Sequence, residues 1–263
     1  FKLNIAYQKA AGGFGAITSL SLPQPADYPA LPQYQIATGD FTGDGRQDVV
    51  LTNATSEPSQ VLLLVAQRSD GTLATPRYLP APFSMGSAQV EHLLAGDTNS
   101  DGRTDLLVYG MTGLGVEPRR LLVHYQQNAD GTLTVSTSQP VSDDVRSMGM
   151  ADWNGDGRPD VLLYGDGWIA HALQASHTGV LRTLHRVDLP MQRYEGVADF
   201  NGDGNLDLVS TSTYFSFSFG VTYQKGPTPS TTTQATAQSV NSLRPTLRRG
   251  LRGSDTQPAR FRQ

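Results

Sequence analysis

Short apolar runs, separated by turns rich in glycine, aspartate and asparagine, recur along the first 225 residues. Four of them follow the same kind of acidic turn and read DVVLTN, DLLVYG, DVLLYG and DLVSTS, beginning at residues 48, 105, 160 and 207. Runs of this length that are rich in Val and Leu and end at turn residues are typical of buried β-strands. No window shows a convincing apolar stripe with a helical period, so the pattern predicts very little helix.

Further short stretches surround each of these runs in the same order. A stretch such as YQIATGD or EHLLAGD precedes the acidic turn, and a third stretch such as VLLLVAQ or LLVHYQQ follows the buried run. A glycine turn (SDGT, ADGT or SHTG) then leads into a fourth stretch. Each unit therefore predicts four short strands joined by turns.

Each unit carries one copy of a nine-residue acidic motif. The copies are DFTGDGRQD at 40–48, DTNSDGRTD at 97–105, DWNGDGRPD at 152–160 and DFNGDGNLD at 199–207. The first Asp of successive copies is separated by 57, 55 and 47 residues. Four short strands repeated at ~40–50 residues are the signature of a β-propeller. The predicted fold class is therefore all-β, a β-propeller of four-stranded blades with about 4–5 blades in this chain.

The same pattern divides the chain into segments. Residues 1–225 are predicted to form the propeller repeats, and residues 226–263 a low-complexity linker with an Arg-rich tail. The repeats are a half blade at 1–22, full blades at 32–80, 88–140 and 144–190, and a last blade at 192–225, with an extension to about residue 240 left open. The chain either closes as five blades or is a piece of a larger ring. Because its first residues already read as the back half of a repeat, we favour the piece, and hence a longer protein.

A glutamine near the end of the third strand marks the register of the repeats. The series consists of Gln8, Gln67, Gln126, Gln174 and Gln224. We expect a structural role for it, in which the side-chain amide bonds the backbone of a turn.

The net charge of −4 hides an uneven distribution. Twelve of the 24 acidic residues lie in the four motifs, and residues 226–263 carry six Arg and one acid, so that the remaining residues carry −9. So much acid in so few residues indicates a specific task for the motifs rather than a solubilising surface. The Arg-rich end shows no fold of its own, so we expect a disordered tail and no nucleic-acid partner.

Alternate positions of the motif can place oxygen atoms around one centre. Positions 1, 5 and 9 are Asp in every copy, position 3 is Asn or Thr, and position 7 offers a backbone carbonyl. Position 6 is always Gly, because the reversal there needs a φ that other residues resist. The candidate metal ligands are Asp40, Thr42, Asp44, Arg46 and Asp48; Asp97, Asn99, Asp101, Arg103 and Asp105; Asp152, Asn154, Asp156, Arg158 and Asp160; and Asp199, Asn201, Asp203, Asn205 and Asp207.

This all-oxygen donor set suits a hard cation, and Ca²⁺ tolerates a flexible loop better than Mg²⁺ does. The motif shares the first half of an EF-hand loop, but position 12, where an EF-hand has a bidentate Glu, is Leu51, Val108, Leu163 or Ser210. Four Asp/Gly-rich turns without metal are the alternative. Because every ligand position is filled in all four copies, we expect four Ca²⁺ sites with a mainly structural role.

With these motifs between strands, residues 1–225 resemble the FG-GAP/VCBS-type repeats of integrin-α-like calcium-binding β-propellers. The resemblance rests on four copies of D-x-[NT]-x-D-G-x-x-D, whereas the Phe-Gly and Gly-Ala-Pro signatures behind one family name are poorly kept. It implies that the loop joins the first two strands of a blade and binds calcium. It also implies a seven-bladed ring, which this chain is too short to complete, and a secreted or surface protein.

Calcium also bears on the location of the protein. Cytosolic calcium is too scarce to fill sites of ~0.1 mM affinity, which favours an extracellular location, secreted or at the cell surface. No apolar run approaches the ~18 residues needed to span a bilayer, so we expect no membrane insertion. Thr42 is the poorest ligand at position 3, so the 40–48 site is predicted to be the weakest.

Other residues give weaker signals. Phe41, Trp153 and Phe200 occupy position 2 and could stack on sugars, but recurrence at one position favours packing between blades. With no Cys and no pair of His at ligand spacing, a zinc site is not expected. Nothing resembles a nucleophile elbow or a phosphate-binding loop, so no catalytic residue is predicted.

These observations favour a calcium-binding β-propeller that serves as an extracellular binding or adhesion module of a larger protein, with an unknown protein or carbohydrate as its ligand. One alternative is a polysaccharide lyase or hydrolase built on the propeller, which would need an acid/base pair outside the acidic motifs. The other alternative is a structural spacer in a toxin or surface protein. The sequence favours a role without catalysis.

Overall fold

The computed structural model describes residues 2–23, 35–53, 60–80, 82, 88–112, 119–175, 181–212 and 218–222. Within these residues the chain forms β-strands and no α-helix, so the all-β prediction is confirmed, and none of them forms a helix that could cross a membrane. Gln224 and the predicted linker and tail at 226–263 lie outside the described residues. The strands are β1 (Lys2–Gln8), β2 (Phe14–Ser21), β3 (Ile36–Gly39), β4 (Asp48–Thr52), β5 (Leu62–Val65), β6 (Arg77–Tyr78), β7 (Ala88–Gly96), β8 (Asp105–Thr112), β9 (Arg119–Gln127), β10 (Leu133–Val141), β11 (Ser147–Ala151), β12 (Asp160–Ala172), β13 (His185–Ala198), β14 (Asp207–Ser212) and β15 (Ser218–Thr222).

These strands form one hairpin and three antiparallel sheets. β1 and β2 make the N-terminal hairpin, β3–β6 the first sheet, β7–β10 the second and β11–β15 the third, each in sequential order. Sequential antiparallel order follows from the short connections, since a tight turn returns the chain alongside the strand that it has just left. The ladders of the described strands are open, and none of them closes a barrel.

Two long strands of the third sheet fold back on themselves. Asp160 is the first residue of β12, yet its carboxylate accepts a hydrogen bond (2.8 Å) from the backbone amide of Gln174, which lies beyond the other end of the strand. The 13 residues of β12 would span ~43 Å if extended, so the strand must reverse, and Gly167 (φ 76°) provides the turn. The first arm of β12 pairs with β11 and the second with the start of β13, whose second half pairs with β14.

The central strands are buried on both faces. In β4, Val50 packs against the second sheet, whereas Val49 packs against the N-terminal hairpin. In β8, Leu106 packs towards the first sheet and Leu107 towards the third. Successive side chains of a strand point to opposite faces, so one continuous apolar run supplies two interfaces. The hairpin and the three sheets are therefore stacked face to face in chain order.

Candidate metal-binding loops

The four acidic motifs connect antiparallel strands at equivalent places. Loop 1 (40–48) joins β3 to β4, loop 2 (97–105) joins β7 to β8, loop 3 (152–160) joins β11 to β12, and loop 4 (199–207) joins β13 to β14. In each loop, position 9 is already the first residue of the strand that follows. The repeat in the sequence is thus also a repeat in the structure.

The carboxylate at position 1 organises the turn of each loop. It accepts hydrogen bonds from the backbone amides of positions 5 and 6, four and five residues further along the chain. These bonds reach Asp40 from Asp44 (3.0 Å) and Gly45 (2.8 Å), Asp97 from Asp101 (3.1 Å) and Gly102 (2.8 Å), Asp152 from Asp156 (2.9 Å) and Gly157 (2.8 Å), and Asp199 from Asp203 (3.2 Å) and Gly204 (2.9 Å). The same loop conformation therefore recurs four times.

The reversal needs a left-handed backbone at two positions of each loop. The glycines of position 6 have φ values of 80° to 85°, in agreement with the sequence argument. Position 4 is also left-handed, with Gly in three loops and Ser100 (φ 56°) in loop 2. This second position was not predicted from the sequence, although its residues are G, S, G and G. The Ser100 hydroxyl donates a hydrogen bond (2.7 Å) to Gln174 of the third sheet, which helps to hold the strained backbone.

Position 3 brings a neutral oxygen close to that of position 1. In loops 2, 3 and 4 the Asn side-chain oxygen accepts a hydrogen bond from the position 5 amide, which also binds the carboxylate of position 1. The distances are 2.9 Å at Asn99, 3.0 Å at Asn154 and 2.8 Å at Asn201. The same three Asn donate through Nδ2 to the carboxylate of position 5 at 2.8 to 3.0 Å. The side chains of positions 1, 3 and 5 therefore converge on the inside of the loop.

The carboxylates of position 9 are fully buried and fasten each loop to its sheet. One oxygen accepts a hydrogen bond from a backbone amide near the end of the third strand. These bonds reach Asp48 from Gln67 (2.9 Å), Asp105 from Gln127 (2.9 Å) and Asp160 from Gln174 (2.8 Å). In loops 2 to 4 the other oxygen accepts a hydrogen bond from the backbone amide of position 2. The donors are Thr98 (3.2 Å), Trp153 (3.1 Å) and Phe200 (2.9 Å). Position 9 thus has a different environment from positions 1 and 5.

Burial and hydrogen bonds shift the pKa of these carboxyls in opposite directions. Burial raises the pKa of Asp48 and of Asp160, and hydrogen bonds offset only part of that effect. At Asp105 burial is again the largest single effect, but several hydrogen bonds, led by that of His124, together outweigh it and hold the pKa below its usual value. His124 is itself buried, and the sequence pattern gave no signal for its role.

Two buried oxygens of loop 1 have no partner. Thr42 Oγ1 and Asp48 Oδ2 make no aligned hydrogen bond within the part of the chain that the structure describes, although the Thr42 hydroxyl lies close enough to help lower the pKa of Asp48. Buried oxygens without an aligned hydrogen bond are costly, so a cation or a water bound to both would stabilise the loop.

The donor set of the loops fits a hard cation, because it consists of carboxylate, amide, hydroxyl and carbonyl oxygens. The convergence of positions 1, 3 and 5 and the two orphaned oxygens of loop 1 agree with that fit. Among the described residues, however, no group of three or more His, Cys, Asp or Glu side chains is close enough to hold a metal ion. The four calcium sites therefore stay a prediction.

The glutamine series connects neighbouring sheets. The equivalent residues are Gln67, Gln127 and Gln174, so the register taken from the sequence was wrong by one residue at Gln126. Gln127 Nε2 donates to the backbone carbonyl of Asp40 (2.7 Å), in loop 1 of the preceding sheet. Likewise, Gln174 Oε1 accepts the hydroxyl of Ser100 in loop 2. The amide therefore holds the acidic loop of the neighbouring sheet.

The aromatic residues of position 2 do not share one environment. Phe41 is fully buried in the core between the first and second sheets. Trp153 is partly buried against the core of the third sheet. Phe200 is 48% exposed. Packing thus accounts for two of the three aromatic residues, and the exposure of Phe200 departs from the expectation.

Two histidines that are far apart in the sequence are neighbours in the third sheet. His171 and His185 lie opposite each other on β12 and β13, with ring centroids 5.7 Å apart. The Trp153 ring lies 5.9 Å from His171. Burial, helped by the nearby His185, lowers the pKa of His171 to about 4. Two imidazoles alone fall short of a zinc site, which takes at least three protein ligands.

Comparison with known proteins identifies the repeat. Residues 40–108 match the family described as FG-GAP-like repeat. This stretch contains loops 1 and 2 and is an FG-GAP-type repeat, so the family resemblance expected from the motifs is confirmed. A comparison with curated protein sequences found no match.

A solved structure with a distant likeness is a lectin from Agrocybe aegerita, described as recognising non-reducing terminal N-acetylglucosamine. The two chains are 16% identical, with a TM-score of 0.32, and the alignment covers 79% of this chain and 68% of the lectin. A likeness at this level carries no argument about the ligand of this chain.

Proposed function

We propose that the chain is a calcium-stabilised β-propeller segment that serves as an extracellular binding or adhesion module of a larger protein. The observation that carries the proposal is the fourfold recurrence of one loop conformation. In every copy the position 1 carboxylate binds the same two backbone amides, and position 9 is buried in the following strand. Such a recurrence favours one shared ligand chemistry rather than four unrelated turns.

The arrangement of the sheets supports the propeller part of the proposal. The first two sheets have four strands in sequential order and carry their loops at the same connection, as consecutive blades require. The third sheet has five strands and carries loops 3 and 4. The FG-GAP-type repeat at 40–108 supports the same interpretation. The proposed ring has seven blades, of which this chain supplies about 4–5.

Calcium would act by joining the two halves of each loop. The oxygens of positions 1, 3 and 5 lie in the reversal, whereas position 9 is held by the sheet, so one ion shared between them would fix the reversal to the strand. At extracellular calcium of ~1 mM and a site affinity of ~0.1 mM, mass action stabilises each site by about 1.4 kcal/mol. Sites of this strength function outside the cell, which supports the proposed location.

The experiment is thermal melting of the protein in about 1 mM CaCl₂ and in excess chelator. We expect calcium to raise the melting temperature by about 10 °C, because four sites stabilise the folded state together. Asp101→Asn, in loop 2, is expected to lose part of that shift. Asp70→Asn is the matched control, because Asp70 lies in an exposed β-turn outside the loops and its carboxylate accepts a hydrogen bond from the Thr72 amide (2.9 Å).

Equal melting temperatures with calcium and with chelator would contradict the proposed calcium sites. An equal loss in Asp70→Asn and Asp101→Asn would contradict their assignment to the acidic loops.

A further inference from the structure

Position 7 of the acidic loops separates loop 4 from the other three. It is Arg in loops 1 to 3 and Asn205 in loop 4. Each Arg folds back so that its guanidinium forms an ion pair with the position 5 carboxylate of its own loop. The pairs are Arg46 with Asp44, Arg103 with Asp101 (2.5 Å) and Arg158 with Asp156 (2.5 Å). Position 5 is one of the carboxylates on which the proposed cation would depend.

In two loops the same guanidinium has a second anchor. Nε of Arg46 donates to the backbone carbonyl of Gln67 (3.0 Å), and Nε of Arg103 to that of Gln127 (2.9 Å). These are the residues whose backbone amides bind the position 9 carboxylate. The Arg therefore connects the middle of the loop to the end of the third strand, which is the connection proposed for a bound cation.

Arg158 keeps only the first of these contacts. Its Nε is buried and has no hydrogen-bond partner in the described part of the chain. Its ion pair with Asp156 thus stands alone, which makes loop 3 the simplest place to separate the effect of charge from the effect of the anchor.

Loop 4 has no resident positive charge at this position. Asn205 donates a neutral hydrogen bond (2.9 Å) from Nδ2 to the Asp203 carboxylate. The three carboxylates of loop 4 therefore repel each other without the counter-charge that the other loops contain, and this raises the benefit of a divalent cation there.

We infer that the residue at position 7 sets how far each loop depends on a divalent cation. Arg acts as a built-in counter-charge that keeps loops 1 to 3 closed without a cation and weakens cation binding there. Loop 4, with Asn205, is the tightest cation site. The physical reason is linkage, since a group that stabilises the cation-free loop more than the occupied loop lowers the affinity. The inference rests on the proposed calcium binding.

Loop 3 offers a site-specific readout, because Trp153 at its position 2 can sensitise the luminescence of bound Tb³⁺, a probe for Ca²⁺ sites. Tb³⁺ is titrated into the wild type, Arg158→Gln and Arg158→Lys, with Trp153→Phe as the control that assigns the signal to loop 3. We expect Arg158→Gln to bind Tb³⁺ about fivefold more tightly, because a repulsive charge near the ion is removed. Arg158→Lys keeps the charge and is expected to stay near the wild type.

Melting in excess chelator tests the other half of the inference without any cation. Asn205→Arg is expected to raise the melting temperature by about 2 °C and Arg158→Gln to lower it by a similar amount, as a partly exposed ion pair is gained or lost. Arg77→Gln, on the exposed strand β6, is the matched control for the loss of an arginine.

The outcomes are distinct. Tb³⁺ binding by the wild type that Arg158→Gln leaves unchanged or weakens would overturn the inference while the proposed function stands. An equal gain in affinity for Arg158→Lys and Arg158→Gln would show that charge is not the cause and would also overturn it. Absence of Tb³⁺ binding in every variant would instead contradict the proposed function itself. If Arg158→Gln and Arg77→Gln melted at the same temperature in chelator, the role of Arg158 as a counter-charge would be refuted.

Discussion

Burial gives the loop aspartates different tasks although they are the same residue type. The carboxylates of position 9 are 0% exposed and bind backbone amides. Those of position 5 are partly exposed and carry the ion pairs with Arg. A buried carboxylate needs such donors because desolvation disfavours its charge. At the scale of single residues, position 9 is therefore held by the sheet, whereas positions 1, 3 and 5 lie in the reversal of the loop.

His171 gives a pH dependence that can be measured. Its folded-state pKa of about 4 lies below the ordinary value of 6.5, so folding favours the neutral ring. The resulting stability is present above pH 6.5 and is lost as the pH falls through about 4. His171→Phe keeps a ring against Trp153 but cannot titrate. As the pH falls from about 7 to about 4.5, we expect the free energy of unfolding of His171→Phe to rise by about 2 kcal/mol relative to that of the wild type. This value allows for the partial exposure of His171.

Urea unfolding at the two pH values measures this difference. Leu208→Val is the control, because Leu208 lies in the core cluster against which Trp153 packs, and its side chain binds no proton. A stability difference between His171→Phe and the wild type that does not change with pH would contradict the burial argument.

At the scale of elements, two turns with the same local chemistry have different surroundings. The SDGT and ADGT turns close with equivalent backbone hydrogen bonds, from Gly71 to Arg68 (2.9 Å) and from Gly131 to Asn128 (2.9 Å). Both glycines are left-handed, with φ values of 79° and 76°. A Cβ on Gly71 would meet nothing within 4 Å, whereas one on Gly131 would lie 1.9 Å from the Thr42 carbonyl oxygen of loop 1. The Gly71 carbonyl accepts a hydrogen bond from the Tyr7 hydroxyl of the hairpin (3.2 Å), so both turns contact a neighbouring unit, but the space for a Cβ is filled at Gly131 and open at Gly71.

Alanine substitution at these two glycines separates backbone strain from the contact. Gly71→Ala is expected to cost about 1 kcal/mol, from the left-handed conformation alone. Gly131→Ala is expected to cost about 3 kcal/mol, because loop 1 must also move away from the new methyl group. Denaturant unfolding of both variants measures the two costs, and Gly71→Ala is the matched control. Equal losses would show that the contact with Thr42 does not matter for stability.

At the scale of the whole molecule, each sheet is stabilised by the next one along the chain. The hydrophobic clusters connect the hairpin to the first sheet, the first sheet to the second, and the second to the third. The glutamine contacts to loops 1 and 2 cross two of the same boundaries. Because the apolar clusters of the described residues join neighbouring units, side chains at the edges of the stack can vary without loss of the scaffold. Such variable edges are where a binding module carries its specificity.

The proposed binding role is tested on arrays of glycans and of extracellular matrix proteins, with calcium and with chelator. We expect binding to one of the two classes that requires calcium, since under the proposed function calcium in the loops stabilises the sheets that would carry the ligand. Protein kept in chelator is the control. No binding to either array would contradict the binding role and favour a spacer. Release of soluble product from a bound polysaccharide would contradict a role without catalysis.

The repeat made much of this protein predictable from its sequence. Strand positions followed from the apolar runs, because a strand buried on both faces leaves a continuous apolar signal. The loops followed from the spacing of Asp and the invariant Gly, because turn geometry is local. The register failed at Gln126, since two neighbouring glutamines look alike in the sequence and only the hydrogen bond to Asp105 selects Gln127. His124, beside Asp105, gave no signal either, because its partners come from other strands.

The sequence by itself determined the all-β class, the repeating unit, the four acidic loops and the oxygen chemistry that each of them offers, because these depend on residues close together in the chain. Only the tertiary structure decided which glutamine reaches which loop, which glycine lies against Thr42 and how His171 comes to face His185. It also decided that the Arg of position 7 turns back onto the carboxylate of position 5 rather than out into solvent. These features depend on residues brought together by folding, and a linear pattern of residue types does not encode the distances between them.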